Sequence, residues 1–560
     1  MERIFKEHSF RNVTSLNGDW EFCTDPNGIG EKEEWYKTFP ENSRHLNVPS
    51  CWNLELDLFD YVGKAWYLKE FESECSYLQI SFGAVTGEAK VFLDGEFLGE
   101  HYGGWLSFSF SKFVEKGVHR LVVCVDNTQN SINTIPLKTV DWYNYGGIVR
   151  SVEVCEFKHP FIENCKISYS LNESLTQAVL DAEIIINNPF NENYDTSIEL
   201  YLNGEKLKEI QATVKGTKSY KIKGLNLSDI KLWEIGKGYL YDLRVTTKDD
   251  DLFDKIGFRK IEAKDQNIYL NNKPVFIKGA NRHEHHPDWG FSVPANIAKR
   301  DVDIAKNLNC NFIRGAHYPN SKTFLDYLDR EGIMFWSEIP MWQFGVTSLC
   351  DSLMQNRAFK MYEEMLNQYY NHPSIVIWGM HNEISTDTPE AYNFTKKAYE
   401  HIKSEDSSRL ITYATDKFAN DICFDFADIV CLNNYFGWYT GKCEDWKDFI
   451  KGLRPSLIKR GYGDKPVIMS EFGAAALYGN SSFNNHKWSM EYQSDIIEEV
   501  VNDCLEESGV CGALVWHFCD AASDMGLAKA NGYNNKGILD AYRRPKMAYY
   551  TLKKLFEKID

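Results

Sequence analysis

Beyond Ile268 the chain alternates short apolar runs with amphipathic helical stretches, a rhythm that describes parallel strands joined by helical crossovers and excludes most other folds. The apolar runs fall at 275–279, 312–315, 333–336, 375–378, 410–414, 429–432, 467–469 and 513–516. Eight runs are one barrel's worth. Helices are predicted between them, for instance over 321–331 and over 492–507, where Ile496, Ile497, Val500 and Val501 recur at helical spacing. A doubly wound open sheet is the alternative, but no Gly-rich phosphate loop follows the first run, so a (β/α)8 TIM barrel is the expected fold.

Upstream the period changes to two. From Ser15 to about Phe157, alternating stretches such as 90–98 are punctuated by Gly, Asn and Asp, and Asp94-Gly95 between apolar flanks signals a hairpin. A second β region follows to about Glu262, with strands expected at 182–186, 197–202 and 240–245; its size suits an immunoglobulin-like sandwich. At 560 residues the chain has room for three or four domains. The expected division is a β-sandwich over 1–158, an immunoglobulin-like β-sandwich over 159–264 and the barrel over 265–560.

A formal net charge of −18 argues against nucleic acid or an anionic membrane as partner, since both call for clustered Lys and Arg. It leaves room for an anionic small molecule, which one local cation can bind. The segment from Met1 to Asp19 is polar, so no signal peptide is expected, and no stretch has the length of a membrane span. The fourteen cysteines are scattered, many in apolar runs, with no C-x-x-C pair. Reduced core residues in a cytosolic protein are the simplest reading.

Chemistry enters at the ends of two runs. Glu383 closes the fourth, in Trp378-Gly379-Met380-His381-Asn382-Glu383, and Glu471 closes the seventh, in Ile468-Met469-Ser470-Glu471-Phe472-Gly473. A carboxylate at the C-terminal tip of a barrel strand sits on the catalytic rim, so both would point into one pocket. Hydrolysis of a glycosidic bond requires such a pair, one protonated and one ionised, and in retaining enzymes the second forms a covalent glycosyl intermediate. Asn382 is a candidate to hydrogen-bond a sugar 2-hydroxyl, with loop geometry as the alternative reading. The cluster His283-Glu284-His285-His286 invites a metal reading, but it lacks the spacing of H-E-x-x-H. No metal and no cofactor are expected.

The stretches Asn371-His372-Pro373-Ser374, Asn382-Glu383 and Ser470-Glu471-Phe472-Gly473 closely resemble glycoside hydrolase family 2, as do Phe82-Gly83-Ala84, Gly103-Gly104-Trp105 and Gly279-Ala280-Asn281-Arg282-His283-Glu284. The resemblance covers essentially the whole chain. It implies a first domain of the jelly-roll-like, sugar-binding type, Glu383 as acid/base, Glu471 as nucleophile, retention of configuration and a homo-oligomer of two or four copies. It also marks His317 as a substrate contact, against the alternative of a satisfied buried histidine, and gives the stretch around His283 the task of shaping the pocket floor.

The resemblance also bears on the sugar. Galactosidases of the family usually carry a His three residues after the nucleophile and a Glu-x-His metal pair after the third strand; this chain has Ala474 and Glu338-Ile339-Pro340. Asn534-Asn535-Lys536-Gly537 instead matches the N-x-K pattern of the family's glucuronidases. A C6 carboxylate in a dehydrated pocket needs a cation, and Lys536 with Asn534 would supply charge and direction together. Asp141 resembles a loop reaching from the first domain into the barrel mouth, Tyr435 and Tyr439 the pair flanking the nucleophile, and Trp516 a platform after the eighth strand, though each is compatible with plain packing. There are departures: a basic residue four positions before the N-x-K asparagine is replaced by Ala530, with Lys529 beside it, and the segment 341–366 is short, leaving the aglycone side open. The implied partner is a small-molecule glycoside, a β-D-glucuronide conjugate. A β-galacturonide or β-galactoside is the runner-up, and a sugar-binding protein without catalysis the reading from another class.

Overall fold

The computed structural model describes residues 3–523 and 529–559. A closed parallel barrel forms its C-terminal part, from β1 (Ile277–Arg282), β2 (Phe312–Gly315), β3 (Met334–Glu338) and β4 (Ile375–Asn382) through β5 (Leu410–Thr415), β6 (Val430–Asn433), β7 (Val467–Phe472) and β8 (Val510–Val515). Each strand lies where an apolar run predicts one, but the bounds shift. The first begins at Ile277 because Lys273–Pro274 pairs with Asn267–Leu270 across a turn in which Asn271 and Asn272 both have positive φ. Several strands also run past the apolar residues into polar ones: β4 is buried through His381 and Asn382, and β7 through Ser470 and Glu471.

The helices between strands are set by their caps. Lys322–Glu331 starts at Ser321, whose side chain accepts from the Phe324 amide, and stops at Gly332 in the left-handed region at φ 69°. Met490–Glu506 is capped in the same way by Ser489. Most of the segment 341–366 is helical, forming Val346–Leu349 and the greater part of Ser352–Tyr369, so the open stretch after β3 is shorter than the sequence suggested.

The first region packs a six-stranded antiparallel sheet on a four-stranded one, around Trp20, Phe22, Trp52, Tyr67, Phe82 and Val91. The hairpin at Asp94-Gly95 joins Glu88–Leu93 to Glu96–Tyr102, with both turn residues at positive φ. The second region packs a three-stranded sheet (Phe161–Leu171, Gln177–Asn187, Lys218–Ser228) on a four-stranded one containing Tyr194–Leu202 and Tyr241–Thr246. Ile184, Ile198, Leu200 and Val245 fill the space between them, the immunoglobulin-like arrangement. No helix among the described residues is long and apolar enough to cross a membrane.

Polar contacts lock the three parts together. Asn371, just before β4, donates to the Cys165 carbonyl at 2.7 Å and accepts from the Ile167 amide at 3.0 Å. The first domain reaches the barrel mouth through Arg150, 2.7 Å from Glu284, and through the Tyr143 amide on the Ala522 carbonyl at 2.9 Å. Arg3 bridges Asp254 of the second region at 3.0 Å and Asp326 of the barrel at 2.9 Å, with all three side chains largely buried. Arg3→Ala would strand two buried carboxylates, so a loss of about 3 kcal/mol in unfolding free energy is expected. Denaturant titration checks it; a change within about 0.5 kcal/mol, the range of an ordinary surface substitution, would show that the arm carries no load.

Candidate active site

The two strand-end carboxyls are presented by backbone irregularities. The parallel ladder shifts register between Gly379 and Asn382 on β4 and between Met469 and Phe472 on β7, re-aiming the side chains that follow. Glu383 itself has φ 52°, a left-handed conformation that costs a non-glycine residue on the order of 1 kcal/mol and is concentrated at functional sites.

The donors on each carboxyl differ in kind. Glu471 is 3% exposed; it accepts from Arg314 Nη1 at 2.7 Å and from the Tyr435 hydroxyl at 2.7 Å. Glu383 accepts from two neutral amides, Asn433 Nδ2 at 2.7 Å and Gln343 Nε2 at 3.0 Å. Burial raises both carboxyls above the ordinary range, with Arg314 opposing the rise at Glu471 and Asn433 opposing it at Glu383. A fixed guanidinium favours the ionised form more strongly than an amide does. The donors thus favour the ionised form more at Glu471 than at Glu383, although burial still pushes Glu471 up to about 8.

Arg314, Glu338 and Asn433 are the part of the site that sequence reasoning missed. The guanidinium is fully buried on β2, makes a two-pronged pair with Glu338 at 2.8 and 3.0 Å, and reaches Asn382 Oδ1 at 2.8 Å and Asn281 Oδ1 at 3.2 Å. Asn433 Nδ2 meets the same Asn382 oxygen at 3.1 Å, so one network runs from Glu471 through Arg314, Asn382 and Asn433 to Glu383. An arginine in the apolar run Phe312-Ile313-Arg314-Gly315, and a glutamate closing Met334–Glu338, were the available signals.

Asn382 is fixed through its oxygen, and its Nδ2 has no hydrogen-bond partner among the described residues. His317 Nδ1 lies 2.9 Å from Glu338, while Nε2, without a hydrogen-bond partner among the described residues, stands 3.9 Å from Glu471. Burial and Arg314 hold this imidazole neutral. Trp516, 2% exposed, stacks on His317 with ring centroids 5.0 Å apart, and His283 packs edge-on against Trp516 at 5.3 Å.

A second corner gathers cations. Lys536 is 2% exposed and donates to the Tyr439 hydroxyl at 2.6 Å; it makes no ion pair among the described residues. Burial lowers its ammonium, while Asp141 and Glu471 act to keep it charged. The two tyrosines therefore divide: Tyr435 holds Glu471, whereas the Tyr439 hydroxyl holds Lys536. Asn534 turns its Nδ2 to Asp141 at 2.7 Å, and Lys529, beside Ala530, pairs with Asp141 at 2.9 Å. Behind this corner, Lys546 Nζ bonds Asp520 at 2.7 Å and the Asn535 carbonyl at 3.0 Å, and Asp520 accepts from the Gly537 amide at 3.0 Å. That buried pair fixes the loop carrying Asn534 and Lys536.

In the stretch from His283 to His286, Glu284 is taken by Arg150 and by the Ser321 amide, and His285 by Tyr145. The groups of potential metal ligands among the described residues, His8 with Asp250 and Asp251 and Asp326 with Asp329 and His372, lie elsewhere.

The chain matches the family model for the TIM barrel domain of glycosyl hydrolases family 2 over residues 261–560, that family's sugar binding domain over 13–160, and a third model of the family over 161–259. A beta-glucuronidase of Streptococcus agalactiae is 28% identical over 97% of this chain and 96% of its own length. The structure is similar to a β-galacturonidase from Eisenbergiella tayi bound to galacturonate, with TM-score 0.93, 30% identity and full coverage of both chains. It is also similar to a β-glucuronidase from Ruminococcus gnavus in complex with D-glucuronic acid, with TM-score 0.86, 26% identity and 99% coverage of each chain.

The amide pair on Glu383 makes its titration adjustable. Gln343→Ala removes a donor that favours the ionised form, so the carboxyl should titrate at higher pH and carry the alkaline limb of the turnover profile upward with it. An unmoved limb would show that another group sets it.

Proposed function

The chain belongs to glycoside hydrolase family 2, and we propose that it is a retaining, exo-acting β-glucuronidase, releasing glucuronic acid and an aglycone. One observation carries the choice of sugar. Lys536 is a buried ammonium that makes no ion pair among the described residues, and such a charge is costly until an anion completes it. The C6 carboxylate of a uronide supplies that anion, with Asn534, Asp141 and Lys529 bordering the same corner.

The mechanism follows from the donors on each acid. Glu471, ionised on Arg314 and Tyr435, attacks the anomeric carbon as the bond to the leaving oxygen breaks. Glu383 gives that oxygen its proton, then takes one from the water that hydrolyses the glycosyl-enzyme. Asn382 Nδ2, without a hydrogen-bond partner among the described residues, would donate to the 2-hydroxyl. Proton, charge and nucleophile all come from side chains in place, so the proposed reaction calls for no cofactor. The fourteen unpaired cysteines suit a reducing compartment, and a cytosolic location and a dimeric or tetrameric assembly belong to the same proposal.

A β-galacturonide is the second reading, favoured by the likeness to the Eisenbergiella tayi enzyme. It keeps the carboxylate and inverts one hydroxyl. Aryl β-glucuronide, β-galacturonide and β-galactoside, compared on one preparation, separate the readings. Glucuronide turnover with the β-anomer as first product is expected, and a product of inverted configuration would rule the mechanism out. Glu471→Ala should reduce turnover to background. Lys536→Ala should lower uronide kcat/KM by about 2 to 5 kcal/mol, roughly thirty-fold at the lower end, while sparing neutral glycosides. Uronide hydrolysis that survives this change overturns the specificity argument.

A further inference from the structure

The carbonyls of three consecutive residues ending at Lys536 are each held by a donor from a different part of the barrel. His517 Nε2, just after β8, donates to the Asn534 carbonyl at 3.1 Å, and Lys546 Nζ donates to that of Asn535 at 3.0 Å. Gln493 Nε2 donates to the Lys536 carbonyl itself at 3.2 Å. All three donor side chains are fully buried.

Gln493 reaches further than the other two suggest. The same nitrogen lies 3.1 Å from the Gly537 carbonyl and 2.9 Å from the carbonyl of Ala474, three residues beyond Glu471. Three carbonyls around one end of an amide identify that end as the donor. Its Oε1 has no hydrogen-bond partner among the described residues, a cost that the contacts of the nitrogen outweigh. The side chain stands on the first turn of Met490–Glu506, where Ser489 accepts from the Tyr492 amide at 3.2 Å, so a capped helix end fixes where it starts.

The two loops that Gln493 joins differ in what else secures their working groups. Glu471 has donors of its own in Arg314 and Tyr435. The Lys536 ammonium donates to one hydroxyl, on a tyrosine that is itself 59% exposed. Its place is therefore set from the backbone outward, through the carbonyl that Gln493 holds.

We propose that Gln493 is a positioning residue for uronide recognition. By tying the Lys536 carbonyl to the Ala474 carbonyl, it sets the distance between the buried ammonium and the nucleophile. That distance decides whether a sugar whose anomeric carbon lies at Glu471 also brings its C6 carboxylate to Lys536. The inference rests on the uronide reading for what Lys536 binds, while the coupling of Gln493 to Lys536 is independent of it.

The test measures kcat and KM on aryl β-glucuronide, β-galacturonide and β-galactoside for the wild type, Gln493→Met, Gln493→Glu, Lys536→Ala and the double variant Gln493→Met with Lys536→Ala. Methionine keeps the approximate volume and loses the donor. A glutamic acid among three carbonyls stays protonated and still donates. Gln493→Met is expected to raise the uronide KM about tenfold, as a small misplacement of a binding group does, and to change the β-galactoside less. Gln493→Glu should stay near the wild type. In the Lys536→Ala background, Gln493→Met should add no further loss, because its effect passes through the ammonium. An unchanged uronide KM overturns the proposal, and so does an equal loss on uronide and galactoside or a loss that adds to that of Lys536→Ala. If Gln493→Met fails to fold by thermal melting, Gln493→Asn, too short to span both loops, takes its place in every comparison. If the wild type cleaves no uronide, the sugar reading fails instead, and the double variant on the glycoside that is cleaved decides the positioning: a Gln493→Met loss that vanishes without Lys536 sustains it, and one that persists overturns it.

Discussion

The guanidinium of Arg314 is the charge around which the pocket is organised. Taking it out of water is expensive, and the expense is met only because Glu338 and Glu471 both face it and Asn281 and Asn382 accept its remaining hydrogens. It lies over the Trp336 ring at 4.6 Å, so even its face is covered. The backbone leaves room for this arrangement. A Cβ at Gly379 would come within 2.1 Å of Trp336 Nε1 and 2.7 Å of Glu338 Cβ, and any larger residue there would push Glu338 away from Arg314.

With both glutamates ionised, the buried Arg314, Glu338 and Glu471 set carries one net negative charge. In the proposed mechanism an oxocarbenium-like transition state would develop positive charge beside Glu471, where that surplus lies. The arrangement fits a pocket complementary to the transition state more closely than to the neutral ring of the bound sugar. Glu338 never touches the substrate in this picture. It sets how much of the Arg314 charge is left for Glu471.

The fold was legible because barrel strands are apolar on both faces and caps are local. Ser321 with Gly332 bounds a helix that needs no tertiary information, and each of the eight runs overlaps a barrel strand. Polar strand ends were harder to read: β4 and β7 extend through His381-Asn382 and Ser470-Glu471, whose burial is paid for by cross-strand partners that no periodicity displays. Site residues followed the same division. Glu383 and Glu471 stood out as acids closing apolar runs. Arg314, Glu338 and Asn433 act through bonds to other strands, and Lys529 through a bond to another domain, so their roles depend on which strands become neighbours. Tyr435 and Tyr439, four residues apart, serve different partners for that reason.

Asp141 and Asn534 bond across 393 residues of sequence, joining the first domain to the loop after the last barrel strand. Lys536 lies two residues further on. During synthesis the carboxylate is therefore made long before its amide partner, and the barrel cannot close before β8 has left the ribosome. The cation corner is thus among the last features of the molecule to form. A nascent chain that already carries Glu383 and Glu471 still lacks Asn534 and Lys536.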